Sequence, residues 1–343
     1  MRSLLYGLWV LVSVAVLVTT LLYLAPVDPA LMTFGQMADK KAVEAKRAEL
    51  GLDRPLWQQI GSALNDLSPL SWHVPERPPR TAHLLLLRIG SGSLALKWPW
   101  LRESYQNGRP VHELIAQALP GTALLALAAI ALAVCIGLPL GVFAALRRGT
   151  VLDVGVQAVS TLGISLPGYV AGILLAYVFG VLLSERTGLD PFGAVFDFDD
   201  YGNPTVVWSN LLLPAVALGM RPVALIAQLS RGSMIETLSQ DFVRTARAKG
   251  LSPASVFWKH ALRNALTPVL TATSGWFAAL LTGAVFVERV FAYPGLGNTL
   301  VEHLLAFDIP VVLGISLFMA AVFLTVNAFT DRLYVILDPR SGR

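Results

Sequence analysis

The sequence predicts an all-α polytopic membrane protein with six transmembrane helices, and three observations predict it. Long stretches contain no Asp, Glu, Lys or Arg. Hydrophobic residues make up 55% of the chain against 14% charged. Mean hydropathy is +0.63. A surface facing water carries more charge than this, whereas a surface facing lipid excludes it. A soluble helical protein could not cover so much apolar surface.

The first apolar stretch, 3–27, exceeds the about 20 residues that cross a hydrocarbon core. It opens on Met1-Arg2, as a secretory signal would. However, the run is too long for one and Tyr23-Leu24-Ala25-Pro26 makes a poor cleavage site, so an uncleaved first helix (1–27) is expected. Residues 28–113 form a second, mostly polar part. Helical periodicity covers 40–50 and stops at Gly51, and Pro75-Glu76-Arg77-Pro78-Pro79-Arg80 reads as an extended spacer. Residues 84–87 and Trp98-Pro99-Trp100 are apolar enough to lie along the bilayer surface or pack on the outer face of the helices, and the tryptophans suit an interfacial belt. The third part, 114–343, contains the remaining spans at 114–146, 154–184, 206–230, 264–287 and 309–330, with a basic link at 231–264. Only Arg221 interrupts the span at 206–230. Gly137-x-x-x-Gly141 and Gly168-x-x-x-Gly172 permit close helix approach, and packing within the chain is the commoner use of such pairs.

Lys and Arg in short loops orient the chain. The link after the second span has Arg147 and Arg148, and the link after the fourth has Arg231, Arg244, Arg247, Lys249, Lys259 and Arg263. The loop after the third span instead carries Glu185, Asp190, Asp197, Asp199 and Asp200 against Arg186, and that after the fifth carries Glu288, Glu302 and Asp308 against Arg289. Both termini and the basic link are therefore expected in the cytoplasm and 28–113 outside.

The basic link reads as two short helices around a turn. Ser239 or Asp241 is suited to cap the first, Lys249 matches its negative end, and Gly250 can take the left-handed conformation that ends it. Ser252 caps the second, with Pro253 at its first position. Phe242, Val243 and Ala246 would offer an apolar contact strip, and Arg244, Arg247 and Lys249 would pair with acidic groups of a partner.

Other chemistry is absent from the sequence. There is no Gly-Lys-Ser/Thr of a phosphate-binding loop, no Gly-x-Ser-x-Gly and no His-Glu-x-x-His. The histidines (His73, His83, His112, His260 and His303) never stand at metal-ligand spacing on one helix. Cys135 is the sole cysteine and is expected to pack as a small hydrophobe inside the second span. A non-catalytic chain that binds no cofactor and no nucleic acid is expected. Arg221 is the informative polar residue within a span. It either lines a pathway that attracts anionic groups, or it contacts backbone carbonyls freed near Pro222 or snorkels to the interface.

Read together, these residues resemble the integral membrane permease of a bacterial ABC importer of the dipeptide/oligopeptide/nickel class. Thr245-Ala246-Arg247-Ala248-Lys249-Gly250 and residues 261–268 are similar to the two halves of that superfamily's cytoplasmic loop. Glu49-Leu50-Gly51-Leu52-Asp53-Arg54-Pro55, Gly108-Arg109-Pro110-Val111, Leu119-Pro120, Leu213-Pro214, Tyr293-Pro294-Gly295-Leu296-Gly297 and Asp338-Pro339-Arg340 extend the likeness along nearly the whole chain.

The resemblance implies a multi-pass protein of the bacterial inner membrane. Its partners would be a second, homologous permease chain, two ATP-binding cassette subunits that hold ATP and Mg, and an extracytoplasmic solute-binding protein. It makes the segment between helices four and five a coupling helix, with Asp241, Phe242, Arg244, Ala246, Arg247, Lys249 and Gly250 as the coupling residues. It makes Arg221 and Gln228 candidates for the translocation pathway. The family often has arginine where Gln228 stands and an apolar residue where Arg221 stands, which implies a shifted substrate preference. Residues 60–106 depart most from the pattern. Peptides lead as cargo, with nickel chelates, glutathione, opines and other small solutes open. An ion-gradient-driven secondary transporter is the competing class, but it would usually show intramembrane carboxylates or repeated broken helices.

Overall fold

A computed structural model describes residues 2–34, 39–73, 83–89, 92–198 and 204–337. The expected spacer at 75–80, the acids Asp199 and Asp200, and Asp338-Pro339-Arg340 lie outside the described residues. In chain order come α1 (Arg2–Leu24), α2 (Pro29–Phe34), α3 (Lys40–Leu50), α4 (Leu56–Leu67) and strands β1 (Leu70–His73), β2 (His83–Ile89) and β3 (Gly92–Lys97). Next are α5 (Val111–Leu132), a π-helical turn (Ala133–Gly137), α6 (Leu138–Leu146), α7 (Val151–Ser165), α8 (Gly168–Tyr177), a second π turn (Val178–Leu182) and α9 (Ser184–Thr187). Strands β4 (Phe196–Phe198) and β5 (Pro204–Val206) precede α10 (Ser209–Ser239), α11 (Asp241–Ala248), α12 (Pro253–Ser255) and a third π turn (Val256–Leu262). The chain continues through α13 (Arg263–Gly283), α14 (Val285–Val290), α15 (Leu296–Leu305) and α16 (Ile309–Leu337).

The expectation of an all-α chain is corrected by two small antiparallel sheets, one ordered β1-β3-β2 and one pairing β4 with β5. Against the expectation of six spans, four helices among the described residues are long and apolar enough to cross a membrane (Leu5–Leu24, Val111–Leu146, Ser209–Ser239 and Ile309–Thr330), and a fifth results if a bent pair counts as one span. That pair is α7 and α8, bent by 104° at the expected third span. The bend has a local cause. Leu166 precedes Pro167 and is extended (φ −77°, ψ 126°), because the proline ring disfavours the helical conformation before it. The expected span at 264–287 forms α13, which is not among those four. The expected span at 206–230 starts later and runs further, as α10.

The chain divides into two compact units: Met1–Leu119 with Thr299–Leu324, and Pro120–Asn298 with Thr325–Arg343. In the first, α3 runs from Asp39, whose side chain accepts the Lys41 N–H, to Gly51 in the left-handed conformation (φ 71°), as its sequence predicts. Ala15 of α1, Ala63 of α4 and Leu313 and Leu317 of α16 form one core cluster.

In the second unit, α10 is the central helix. Gly137 and Gly141 face it so closely that a Cβ would meet the Val223 and Ala227 carbonyls at 2.6 and 2.2 Å, so the small-residue pair serves packing within the chain. Leu125, Ala215, Leu280, Phe291 and Tyr293 belong to the main core of this unit. Cys135, expected to be packed inside, is exposed on the apolar surface.

Candidate functional site

The basic segment folds as two helical pieces around a glycine turn. The first piece, α11, is capped differently from expectation. Gln240 is its N-cap without a side-chain bond, Ser239 Oγ donates to the Glu236 carbonyl, and Asp241 is already helical. Its end matches expectation. Gly250 is left-handed (φ 76°), the Leu251 N–H reaches the Ala246 carbonyl at 3.3 Å, and the Gly250 N–H reaches Arg247 at 3.0 Å. Those two bonds satisfy two of the carbonyls freed at the helix end. Ser252 then accepts the Ser255 N–H at 3.3 Å, with Pro253 in the first turn.

Val243, Ala246 and Val256 form one buried cluster between the two pieces. This corrects the expected outward strip: Val243 (0% exposed) and Ala246 (6%) brace the element internally. Ala246 is small because helix packing requires it. What faces outward is Phe242 at 42%, together with exposed Arg244, Arg247 and Lys249. Asp241 forms an exposed ion pair with Arg244 at 3.5 Å, a contact of little energetic weight. Trp258 was not singled out by the sequence reading. It is 66% exposed and stands edge-on to Phe257, with ring centroids 5.0 Å apart. A tryptophan inside a basic link was the available signal.

Arg221 and Gln228 lie seven residues apart on α10, two turns along one face, and both are exposed. The Arg221 guanidinium lies over the Trp276 ring of α13 at 5.9 Å. That aromatic face, rather than carbonyls near Pro222, is its observed neighbour. Arg231, expected among the cations of the basic link, makes a two-pronged ion pair with Asp153 at 2.5 and 2.9 Å. Asp153 also accepts the Gly149 N–H at 2.9 Å. The pair ties the start of α7 to α10.

Two carboxylates expected in open loops are buried. Glu288 is 0% exposed and accepts Thr122 Oγ1–H at 2.6 Å, the Gly297 N–H at 2.7 Å and the Asn298 N–H at 3.0 Å. The Leu296 N–H donates to Thr122 Oγ1 at 2.8 Å. Three backbone N–H groups near the start of α15 are thereby tied to α14 and α5. Glycine is obligatory at 295 and 297, because a Cβ there would come within 2.4 Å of Glu288 or Val285. Burial pushes the Glu288 carboxyl above its ordinary range, against the three hydrogen bonds that lower it.

Asp308, also 0% exposed, accepts Ser104 Oγ–H at 2.5 Å, the Tyr105 N–H at 3.0 Å and His303 Nδ1 at 3.0 Å. Burial raises its pKa, but the bonds from His303, Ser104 and Tyr105 outweigh burial and hold the carboxyl below the usual range. A depressed folded pKa stabilises above the unfolded value, and that stability is lost as pH falls through the folded one. Thermal unfolding in detergent should show a midpoint that drops as pH falls through and below the ordinary Asp value of about 3.9. Asp308→Asn should start lower and change less over that range. An acid-induced drop of equal size in the variant would refute the assignment.

Among the described residues, no cluster of His, Cys, Asp and Glu could hold a metal ion. The long apolar helices define a multi-pass membrane protein with an exposed basic two-helix element. Residues 137–343 match the family described as binding-protein-dependent transport system inner membrane component, and residues 1–68 match its N-terminal part. The chain belongs to this family, the membrane subunits of ABC transporters. It is 37% identical over 331 residues to a putative peptide transport system permease protein of Brucella suis biovar 1, covering 96% of this chain and 94% of the relative. It is 34% identical over 343 residues to a di/tripeptide transport system permease protein of Pseudomonas aeruginosa, again covering 96% and 94%. Among solved structures, it shares the fold of a chain from the inward-facing MetNI methionine ABC transporter. There the TM-score is 0.51 and the identity 17%, over 66% of this chain and 97% of that one.

Proposed function

We propose that this chain is the permease subunit of an ATP-driven importer of di- and oligopeptides. Its 114–343 core forms the translocation pathway and its segment at 241–250 couples that pathway to cytoplasmic ATPases. The names of the relatives support peptides as cargo over nickel chelates, glutathione, opines or other small solutes. In this reading the bent pair α7–α8 and the threonine-rich α13 complete six crossings, and both termini and the basic link face the cytoplasm. A second, homologous permease chain, two ATP-binding cassette subunits carrying ATP and Mg, and an extracytoplasmic solute-binding protein complete the assembly. The chain itself has no catalytic role and binds no cofactor. Arg221 and Gln228 face the pathway, where the Arg221 charge attracts the peptide carboxylate.

The observation that carries the coupling role is the division of α11 into two faces. Val243 and Ala246 are locked against Val256, while Phe242 and the cationic residues are left outside. A braced element with a free aromatic and basic face can pass a rigid-body motion to α10 and α13. The test is reconstitution with the ATPase, second permease and binding-protein subunits, measuring dipeptide-stimulated ATP hydrolysis. Phe242→Asp should reduce stimulation at least tenfold, the loss expected when an interface anchor worth about 1.4 kcal/mol or more is removed, with insertion unchanged. Full stimulation in this variant would refute the coupling role. Stimulation by a nickel chelate or glutathione in place of dipeptides would refute the cargo.

A further inference from the structure

Among the described residues, Arg221 makes no hydrogen bond and no ion pair, and its partner is the Trp276 ring at 5.9 Å. An unpaired guanidinium on a helix long and apolar enough to cross a membrane is costly and needs a compensating contact. Other polar groups of the same unit have theirs. Arg231 directs its fork at Asp153, and Gln157 also donates to Asp153. The exposed Thr161 and half-buried or exposed hydroxyls such as Ser165 on α7 bond carbonyls of their own helix. The exposed side chains beside them on α7 and α8 are apolar, among them Val159, Leu162 and Ile173. A helix surface satisfied within itself in this way can meet lipid.

Arg221 differs, and so do its neighbours. The amide of Gln228, two turns along α10, and the indole N–H of Trp276 also have no hydrogen-bond partner among the described residues. Gln228 is exposed and Trp276 half-buried. A Cβ built on the exposed Gly275, next to Trp276, would meet nothing within 4 Å, so the chain beside the ring borders open space.

The fold fixes this contact. Helices α10 and α13 pack antiparallel: Ser233 Oγ donates to the Ala265 carbonyl at 2.9 Å, and Ile226 shares a core cluster with Val269. Moving back along α10 from 233 through 226 to 221 moves forward along α13 from 265 through 269 to 276. Packing thus delivers Trp276 to Arg221. The chemistry of this neighbour matters. A carboxylate there would hold the guanidinium at two points, as Asp153 holds Arg231, and would cancel its charge. An aromatic face attracts the cation and takes none of its N–H groups. The charge stays in place with its planar fork open, which is the form that recognises a carboxylate at two points.

We propose that Trp276 is a specificity residue of the pathway: it holds the Arg221 guanidinium with its donors open, and the pair selects cargo that ends in a free carboxylate. The proposal rests on the reading of Arg221 as a pathway residue. It is tested on the full chain purified with its second permease and ATPase subunits. Equilibrium dialysis compares a labelled dipeptide with the C-terminal amide of the same dipeptide, without the binding protein, whose own preference would otherwise intrude. Co-elution of the subunits identifies folded samples, and Trp276→Met replaces Trp276→Leu if the latter fails this check. The parent should bind the dipeptide about tenfold or more tightly than the amide, as charge-assisted bonds to a carboxylate imply. Arg221→Gln should abolish that preference. Trp276→Leu should reduce it about fivefold and Trp276→Phe should keep most of it. The double variant should match Arg221→Gln alone, because the ring acts through the guanidinium. No preference in the parent, or the same preference in Arg221→Gln, would refute Arg221 as a carboxylate site and the proposal with it. A preference lost in Arg221→Gln but intact in Trp276→Leu would overturn the role of Trp276 alone. So would an equal loss of affinity for both ligands in Trp276→Leu, which would mean that the ring only packs.

Discussion

Gly250→Val should abolish dipeptide-stimulated ATP hydrolysis in the reconstituted transporter while leaving the chain inserted. Gly250 stands at φ 76° and closes α11 by donating to the Arg247 carbonyl, with Leu251 donating to Ala246. Nothing lies within 4 Å of a Cβ built there, so no clash is involved. The cost is purely backbone, about 1–2 kcal/mol for a residue with a Cβ and more for a β-branched one. The chain would relieve it by rotating φ, which swings α11 away from Val256 and displaces Phe242, Arg244 and Arg247 together. Gly250→Asn is the matched control, because asparagine tolerates the left-handed region. It should retain most of the coupling. Equal coupling in both variants would show that the turn geometry is not what transmits the motion.

Glu288→Ala should strongly destabilise the unit that holds Pro120–Asn298. It removes the acceptor of Thr122 Oγ1–H and of the Gly297 and Asn298 N–H groups, all at a site with 0% exposure. Unsatisfied buried donors and the cavity left behind together cost on the order of 3–5 kcal/mol. Glu288→Gln keeps an acceptor for the backbone N–H groups and can donate its amide to Thr122, so its loss should be much smaller. The pH dependence runs opposite to that of Asp308. Burial raises the Glu288 carboxyl above its ordinary range, so its contribution is fully present below the unfolded value. It is lost as pH rises through the folded one. Thermal midpoints in detergent should therefore show less alkaline loss in Glu288→Gln than in the parent chain. Matching midpoints for Glu288→Ala and the parent would refute the role of the carboxylate.

Some of these features were legible residue by residue. Gly51, Gly250, Ser252 and Pro253 announce their caps through their own backbone preferences, and the structure agrees at all four. The bend between α7 and α8 was legible at Pro167, but a count of apolar residues ran straight through it. The β1-β3-β2 sheet was missed for a different reason. The run of leucines at 84–87 does not alternate, so it gave no strand period. The turn signal was the Gly90-Ser91-Gly92 that separates it from the next apolar run. The faces of α11 could not be assigned from α11 alone, because Val243 and Ala246 turn inward only once Val256 arrives from beyond the turn. Counting Arg231, Glu288 and Asp308 as loop charges overlooked partners far along the chain: Asp153, Thr122 and Ser104.

The sequence by itself determined that this is a multi-pass membrane protein, and its motifs carry the resemblance to the binding-protein-dependent transport family. Apolar stretch length, cationic links and a glycine-ended helix are local properties, and local properties survive without a fold. The tertiary structure alone decided which charges are solvated and which are neutralised in the helices. Those outcomes depend on contacts between residues tens or hundreds of positions apart. Burial, which sets the cost of every unpaired polar group, exists only once those contacts have formed.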